Sequence, residues 1–209
     1  KILKSGKAAS VRQTQRDAKE KAPLNFDLTT LQREANSSFS WSAKRTLGVA
    51  QDLYDSHKLT TYPRTDSRHL PEDMHEEIAK TVRQLGAQDE YNAHSKRIVD
   101  EGMKNAGRNF DNSKVSDHFA IIPTGRFVKL DEAAAKIFEL VTKRFLAVFY
   151  PHAEFLNTRR ITRITSSDAT DAFLTTGKIL VTPGWLAVYG RQPGVAAGKD
   201  ELCAVSEGE

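Results

Sequence analysis

Apolar residues in the first third of the chain recur at helical spacing. Leu28, Leu31, Ala35 and Phe39 share one face of a 3.6-residue period, with Asp27 or Thr29 placed to cap the helix they predict. Ser42 is the expected N-cap of a second helix whose apolar face is Ala43, Leu47, Ala50 and Tyr54, after a turn over residues 36–41. Residues 58–62 then read as extended chain. Pro71 suits the first turn of a third helix, with Glu72 and Asp73 favourably placed against its dipole. Met74, Ile78, Val82 and Leu85 give that helix a buried stripe, and Gly86 ends it. A shorter helix is predicted over 92–99. Residues 101–115, rich in Gly, Asn, Asp, Ser and Lys, read as an exposed loop.

Residues 119–122 form a short apolar run that reads as a strand ending at Pro123. Asp131 opens the strongest helical pattern, which ends before Pro151 and buries Ile137, Leu140, Val141, Phe145, Val148 and Phe149. β-like segments follow over 154–165 and 173–181, then a strand around Trp185. Arg159, Arg160 and Arg163 alternate with apolar residues in the first of these. Residues 195–209, Gly- and Ala-rich and then acidic, read as a frayed end or truncated linker. No internal repeat is evident.

Composition narrows the class. With 209 residues the chain has room for one or two compact domains. Its 39% hydrophobic content allows a core, while 28% charged residues argue for a soluble protein. No apolar run of about 18 residues predicts a membrane span, and no signal-peptide pattern opens the chain. The lone Cys203 excludes an internal disulfide and fits a reducing cytoplasm. The net charge is +4, and it is uneven: residues 1–22 hold seven Lys or Arg against two acids, leaving the remainder near −1. That basic segment is either a solvated arm or, over residues 9–15, a strand of a neighbouring domain. The balance is compatible with nucleic acid.

Paired helices followed by extended chain resemble a winged helix-turn-helix. If the second helix faces DNA, Lys44 and Arg45 sit at its N-terminal end, where free backbone N–H groups also favour phosphate. The other reading is two solvated charges.

The chemistry concentrates in Thr61-Tyr62-Pro63-Arg64-Thr65-Asp66-Ser67. Pro63 fixes its own φ and biases Tyr62 toward an extended conformation. In extended chain Tyr62, Arg64 and Asp66 share one face. A tyrosine beside an arginine suits attack on a phosphodiester, because the guanidinium can grip the phosphate and stabilise charge developing on its oxygens. A phenol is mostly protonated at neutral pH and needs a base, a cation or a metal to attack. Phenolate is also a good leaving group, so a phosphotyrosine diester can be resealed without ATP. That fits breakage and rejoining of nucleic acid better than hydrolysis.

The stretch from Pro23 to Ser67 resembles the active-site region of the type IA DNA topoisomerases. It reads Pro-Leu-Asn-Phe-Asp-Leu-Thr-Thr-Leu-Gln, Ser-Ala-Lys-Arg-Thr-Leu, Gln-Asp-Leu-Tyr and then the tyrosine motif. Ser116-Asp117-His118-Phe119-Ala120-Ile121-Ile122-Pro123-Thr124 is similar to a second family motif, worded as in the topoisomerase III branch. Pro183-Gly184-Trp185-Leu186-Ala187-Val188-Tyr189 is similar to a strand where these enzymes return toward another domain. Thr60 and Ser40 depart from the family, which more often has an apolar residue and a glycine there; only local packing is put in doubt.

The resemblance implies roles. Tyr62 matches the nucleophile that becomes linked to the 5′-phosphate of a cut single strand, and Arg64 the arginine on the scissile phosphate. His118 matches the active-site histidine, and histidine can donate to a phosphate; a histidine capping a short strand is the plainer reading. Thr65, Asp66, Ser67 and Arg68, with Lys44 and Arg45, are candidate DNA-contacting residues. Thr65, Asp66 and Ser67 are better suited to orienting the loop than to reacting, and Asp66 alternatively forms a turn or enters a helix.

Type IA enzymes also carry a Toprim domain that binds Mg²⁺ and supplies a glutamate and a lysine. No match to it and no Asp-x-Asp pair occur, and the six histidines lack zinc-site spacing. The implied protein is a topoisomerase fragment, inactive alone, with single-stranded DNA and the missing Toprim and flanking domains as partners and no metal bound to this chain. The expected fold is α+β: a helical, winged-helix-like tyrosine domain over 25–128, inserted into a mostly β arch domain. The arch comprises 1–24 and 129–184, the latter a long helix plus strands, and surrounds a hole that Arg159, Arg160 and Arg163 either line or leave as an ordinary wet strand face. A further, truncated domain begins at 185. The location implied is cytoplasmic, at a bacterial nucleoid. The competing readings are a non-catalytic winged-helix DNA-binding module and a tyrosine recombinase. The first has no need of Tyr62, Arg64 and His118 together; the second lacks its helical tyrosine motif.

Overall fold

The computed structural model describes residues 9–165 and 169–194. The chain divides into two compact units, one of residues 21–151 and one of residues 1–20 with 152–209. The predicted frayed end over 195–209 lies outside the described residues.

Unit 21–151 is built on helices α1 (Leu28–Phe39), α2 (Ala43–Asp55) and α6 (Glu132–Ala147). Phe26, Leu31, Ala35, Trp41, Ala50, Leu53, Leu59, Ile121 and the α6 residues Ala134, Ile137, Phe138 and Val141 form one buried cluster. The expected boundary at 128/129 is therefore displaced to 151/152, because α6 closes the core over α1 and α2. Asp27 caps α1 in a capping box: its carboxylate accepts from Thr30 N–H at 2.6 Å and its own N–H donates to Thr30 Oγ1 at 3.1 Å. Ser40 ends that helix in the left-handed region, with φ 58° and ψ 31°.

Ser42 caps α2, but the buried face is Thr46, Ala50 and Leu53 rather than Ala43, Leu47 and Tyr54. Thr46 can turn inward because its hydroxyl donates to the Ser42 carbonyl at 3.1 Å. That rotation leaves Tyr54 half-exposed.

A 3₁₀ turn, Glu72–Met74, leads into α3 (His75–Leu85), which buries Ile78, Thr81, Val82 and Leu85 and is capped by Gly86; Met74 stays half-buried. Helix α4 runs Asp89–Glu101, longer at both ends than 92–99. The segment expected as an exposed loop contains α5 (Ala106–Asn109) and a 3₁₀ turn, Asn112–Lys114, with Asn109 and Phe110 buried. Its polar side chains are spent on backbone: Asn109 Nδ2 donates to the Val148 and Asn105 carbonyls, each at 3.1 Å. Residues 119–122 are not a strand. They meet the rest as isolated bridges, Phe26↔Ile121 with Thr60↔Pro123 beside it, so no ladder extends.

The other unit is an antiparallel sheet in the order β1 (Ala9–Glu20), β2 (Ala153–Thr165), β3 (Thr170–Thr182). Unit 21–151 is thus inserted in sequence between the first two strands. Ala153, Phe155 and Leu180 make a small core with Ala18, Trp185 and Leu186. Residues Gly184–Tyr189 form a 3₁₀ helix, not a strand, and Trp185 Nε1 donates to the Glu20 carbonyl at 3.0 Å, so this segment packs on the sheet. Gly184 sits at φ +50°, where a Cβ would lie 2.1 Å from the His152 carbonyl oxygen; only glycine fits. Arg159 and Arg163 share a sheet face, whereas Arg160 lies on the other and donates to Gln13 Oε1 at 3.0 and 2.8 Å.

Candidate active site

Residues 61–67 alternate as their sequence predicts. Pro63, Thr65 and Ser67 are buried, Arg64 and Asp66 are exposed, and Tyr62 is half-buried. The inward residues anchor the segment. Thr65 Oγ1 donates to the His118 carbonyl at 3.0 Å and accepts from Ser67 N–H at 3.1 Å. Ser67 Oγ donates to the Lys114 carbonyl at 2.7 Å. Thr61 adds two contacts, its hydroxyl donating to the Ala120 carbonyl at 2.9 Å and accepting from Ile122 N–H at 2.9 Å. The tyrosine and histidine segments, separated by more than fifty positions, are thereby laced together.

The outward face carries Tyr62, Arg64 and Asp66. The Tyr62 ring lies 4.3 Å from the His118 ring, tilted at 43°, and meets the Tyr54 ring edge-on at 5.4 Å. Among the described residues Tyr62 makes these two ring contacts and no side-chain hydrogen bond. Arg64 Nε donates to Gln51 Oε1 at 3.3 Å, and Gln51 Nε2 donates to Asp55 Oδ2 at 2.7 Å. A helix side chain therefore orients the guanidinium while its remaining N–H groups face solvent. Asp66 accepts from Ser116 Oγ at 3.4 Å, a second link to the histidine segment.

Several candidates sit elsewhere. Thr65 and Ser67 are turned inward with their hydroxyls engaged, so they hold the loop instead of facing a strand. Arg68 Nε donates to the Asn25 carbonyl at 3.2 Å. Arg108 Nη1 and Arg144 Nη1 donate to the Ala22 and Leu24 carbonyls, at 2.5 and 3.4 Å. Three guanidiniums thus clamp residues 22–25 as they enter α1. Burial pushes the Arg68 pKa down, the nearby Arg144 and Arg108 add to that, and Asp27 opposes it. Lys44 and Arg45 are exposed at the far end of α2, about 15 Å along the helix from Tyr54 at the usual rise. There Arg45 stacks over Trp41 at 4.0 Å.

Sequence reasoning missed Tyr54, read as core, and Gln51, not singled out. The signal was available: both lie in the last two turns of α2, next to the chain that returns to Tyr62. Among the described residues no group of three or more His, Cys, Asp or Glu side chains is arranged to hold a metal. No helix among them is long and apolar enough to cross a membrane.

The site thus places a tyrosine ring on a histidine ring, with a side-chain-oriented arginine on the same extended segment. The sequence profile of the family described as DNA topoisomerase matches residues 1–209, and the chain belongs to that family. Its relatives include the DNA topoisomerase 3 of Bacillus cereus, 37% identical over 192 residues (90% of this chain, 26% of the relative). That of Bacillus subtilis is 39% identical over 195 residues (90% and 26%), and that of Bacillus licheniformis 41% over 189 residues (88% and 25%). This agrees with the branch read from the histidine motif. The full-length topoisomerase I of Thermotoga maritima has the same fold, with a TM-score of 0.65 at 23% identity over 95% of this chain and 32% of that one. The chain spans about a quarter of the length of the curated relatives it matches.

Proposed function

We propose that this chain is the tyrosine-bearing portion of a type IA DNA topoisomerase of the topoisomerase III kind. The observation that carries the reading is the Tyr62–His118 ring contact at 4.3 Å, with Arg64 outward on the same extended segment. In this reading Tyr62 Oη attacks the phosphorus of a single DNA strand. The Oη–P bond forms, the bond from phosphorus to the 3′ oxygen breaks, and that oxygen leaves as a hydroxyl carrying the proton the phenol gives up. Arg64 grips the phosphate through its solvent-facing N–H groups and spreads the charge that develops on its oxygens. His118, with its ring exposed beside Tyr62, donates to a phosphate oxygen. Reversal reseals the strand after another has passed, relaxing or decatenating DNA.

The Mg²⁺ and acid–base groups belong to the absent Toprim portion, so the fragment is inactive alone. Helices α1 and α2, followed by the extended chain to Tyr62, support a winged-helix description of this unit, and the sheet unit that of an arch. Such an enzyme works in the cytoplasm at the nucleoid.

Covalent trapping tests this. End-labelled single-stranded DNA and Mg²⁺ are mixed with the chain, with and without a folded, associating Toprim half, and run on a denaturing gel. An adduct only with both halves, lost in Tyr62→Phe, is expected. No adduct in either case, with DNA still retained in a gel shift, would sink the catalytic reading in favour of a binding module.

A further inference from the structure

A second concave site adjoins Tyr62 in unit 21–151. It is a cavity of ≈ 650 Å³ whose wall includes Tyr54, Lys58, Thr60, Glu77, Lys80 and Arg126. Tyr54 is the residue whose ring meets Tyr62 edge-on at 5.4 Å, so cavity and tyrosine are neighbours across one aromatic side chain. Three cations face a single carboxylate. Lys58, Lys80 and Arg126 are exposed, and none of them makes an ion pair with a carboxylate among the described residues.

The wall is held at a cost. Lys58 adopts φ 55°, a left-handed conformation that a lysine rarely takes. It is fixed there by the Thr124 hydroxyl, which donates to the Lys58 carbonyl at 2.8 Å, and its ammonium sits over the Tyr54 ring at 5.4 Å. Next to Thr124, Gly125 at φ +80° lies so close to Gln84 that a Cβ would come within 2.4 Å of Gln84 Oε1. The Thr60 hydroxyl is buried with no hydrogen-bond partner, at the position where the resembled family carries an apolar side chain. Unpaired cations, an aromatic face and strained backbone are the components of a site for a stackable polyanion.

We infer that this cavity is a binding subsite for single-stranded polynucleotide. Resting on the strand-cleavage reading of Tyr62, its occupant is the stretch on the 3′ side of the cut, the part that stays attached to the tyrosine. A base stacks on Tyr54, and Lys80 and Arg126 neutralise the next phosphates. The volume suits about one or two nucleotides. Retention of the tethered end then rests on this chain as well as on the covalent bond.

The test uses the full 209-residue chain and a fluorescent 5′-phosphorylated oligothymidylate, read by anisotropy across a salt series. The double variant Lys80→Ala with Arg126→Ala should weaken binding about tenfold at low salt and reduce the log–log salt slope by about 1.4, the share of two phosphate contacts on a single strand. Lys96→Ala with Lys104→Ala removes equal charge away from the cavity wall and should change affinity less than about twofold. An oligonucleotide with 5-iodouracil just 3′ of the phosphate should photocrosslink to Tyr54, located by mass spectrometry. Unchanged affinity and slope in the cavity variant, equal loss in both double variants, crosslinks confined to other residues, equal competition by polyglutamate, or no measurable binding would each overturn the subsite. None of these readouts involves cleavage. A Tyr62 that forms no adduct therefore defeats the catalytic reading without touching the binding result, and a failed subsite leaves the catalytic reading standing.

Discussion

The hydroxyl of Thr65 donates to the backbone carbonyl of His118 at 3.0 Å, so the segments presenting the tyrosine and the histidine are a single piece. The same oxygen accepts from Ser67 N–H, which makes Thr65 the node of the arrangement. Thr65→Val keeps the shape and removes both bonds, taking their partner from the part-buried His118 carbonyl and the buried Ser67 N–H. The expected loss of stability is about 1–3 kcal/mol, measured by urea unfolding. Covalent trapping in the presence of the Toprim half should fall even where the variant is fully folded, and Thr65→Ser should restore both.

In the strand-cleavage reading Gln51, which accepts from Arg64 Nε at 3.3 Å, positions the arginine without touching substrate. Gln51→Leu should leave oligonucleotide affinity within about twofold and lower the rate of adduct formation about fivefold, the worth of one hydrogen bond near 1 kcal/mol. Gln51→Glu, which replaces the amide acceptor by a carboxylate, should recover the arginine's orientation in part. An unaltered trapping rate in Gln51→Leu would remove the residue from the mechanism.

Acid and alkali should each destabilise unit 21–151, and the contact of His94 Nδ1 with Tyr150 Oη at 2.7 Å holds a group sensitive to each. Burial pushes the His94 pKa down, with Lys143 and Arg97 adding to it. Below about pH 6.5 the unfolded chain therefore takes up a proton that the folded chain does not, and stability falls as pH drops toward the folded value. His69, lowered chiefly by its burial, acts in the same direction. Burial pushes Tyr150 up to about 12, so above about pH 10 the unfolded phenol ionises first and stability falls again. Chemical denaturation across pH should give a plateau with two shoulders, the acid shoulder shallower in His94→Gln. Ultraviolet titration should show a tyrosine ionising near 12.

Ser40 closes α1 in a conformation that glycine adopts without a Cβ penalty. Ser40→Gly should raise stability by about 0.5–1 kcal/mol, the left-handed cost less the extra chain entropy of glycine. A thermal melt of the variant checks this directly; a lower midpoint would show that the serine side chain stabilises the turn by more than its strain.

The helices and the tyrosine segment were legible because their signals are local. Asp27 and Ser42 announce helix starts by type and position, and the one-residue alternation of Tyr62, Arg64 and Asp66 follows from extended chain beginning at Pro63. The register of α2 was not legible: an inward threonine at 46 is satisfied by a backbone carbonyl, and hydrophobicity does not record that. Nor was the ownership of α6, whose apolar stripe states that it is covered but not by what. Residues 101–115 misled by composition, since Asn105 and Asn109 are polar residues consumed inside, on the carbonyls of Tyr150 and Val148. Arg68 read as a phosphate ligand because the motif supplies charge, while its partner, the Asn25 carbonyl, is invisible to any side-chain pattern.

Glu20 and Ala153 are register partners in the sheet, although the whole of residues 21–152 lies between them. The pairing of β1 with β2 must therefore close a very long loop, whereas β2 and β3 close one of only a few residues. Loop closure alone predicts an order of assembly in which the β2–β3 hairpin and the helical insert form first and β1 docks last. Slow, insert-dependent protection of β1 amides during refolding would be the kinetic signature of that order.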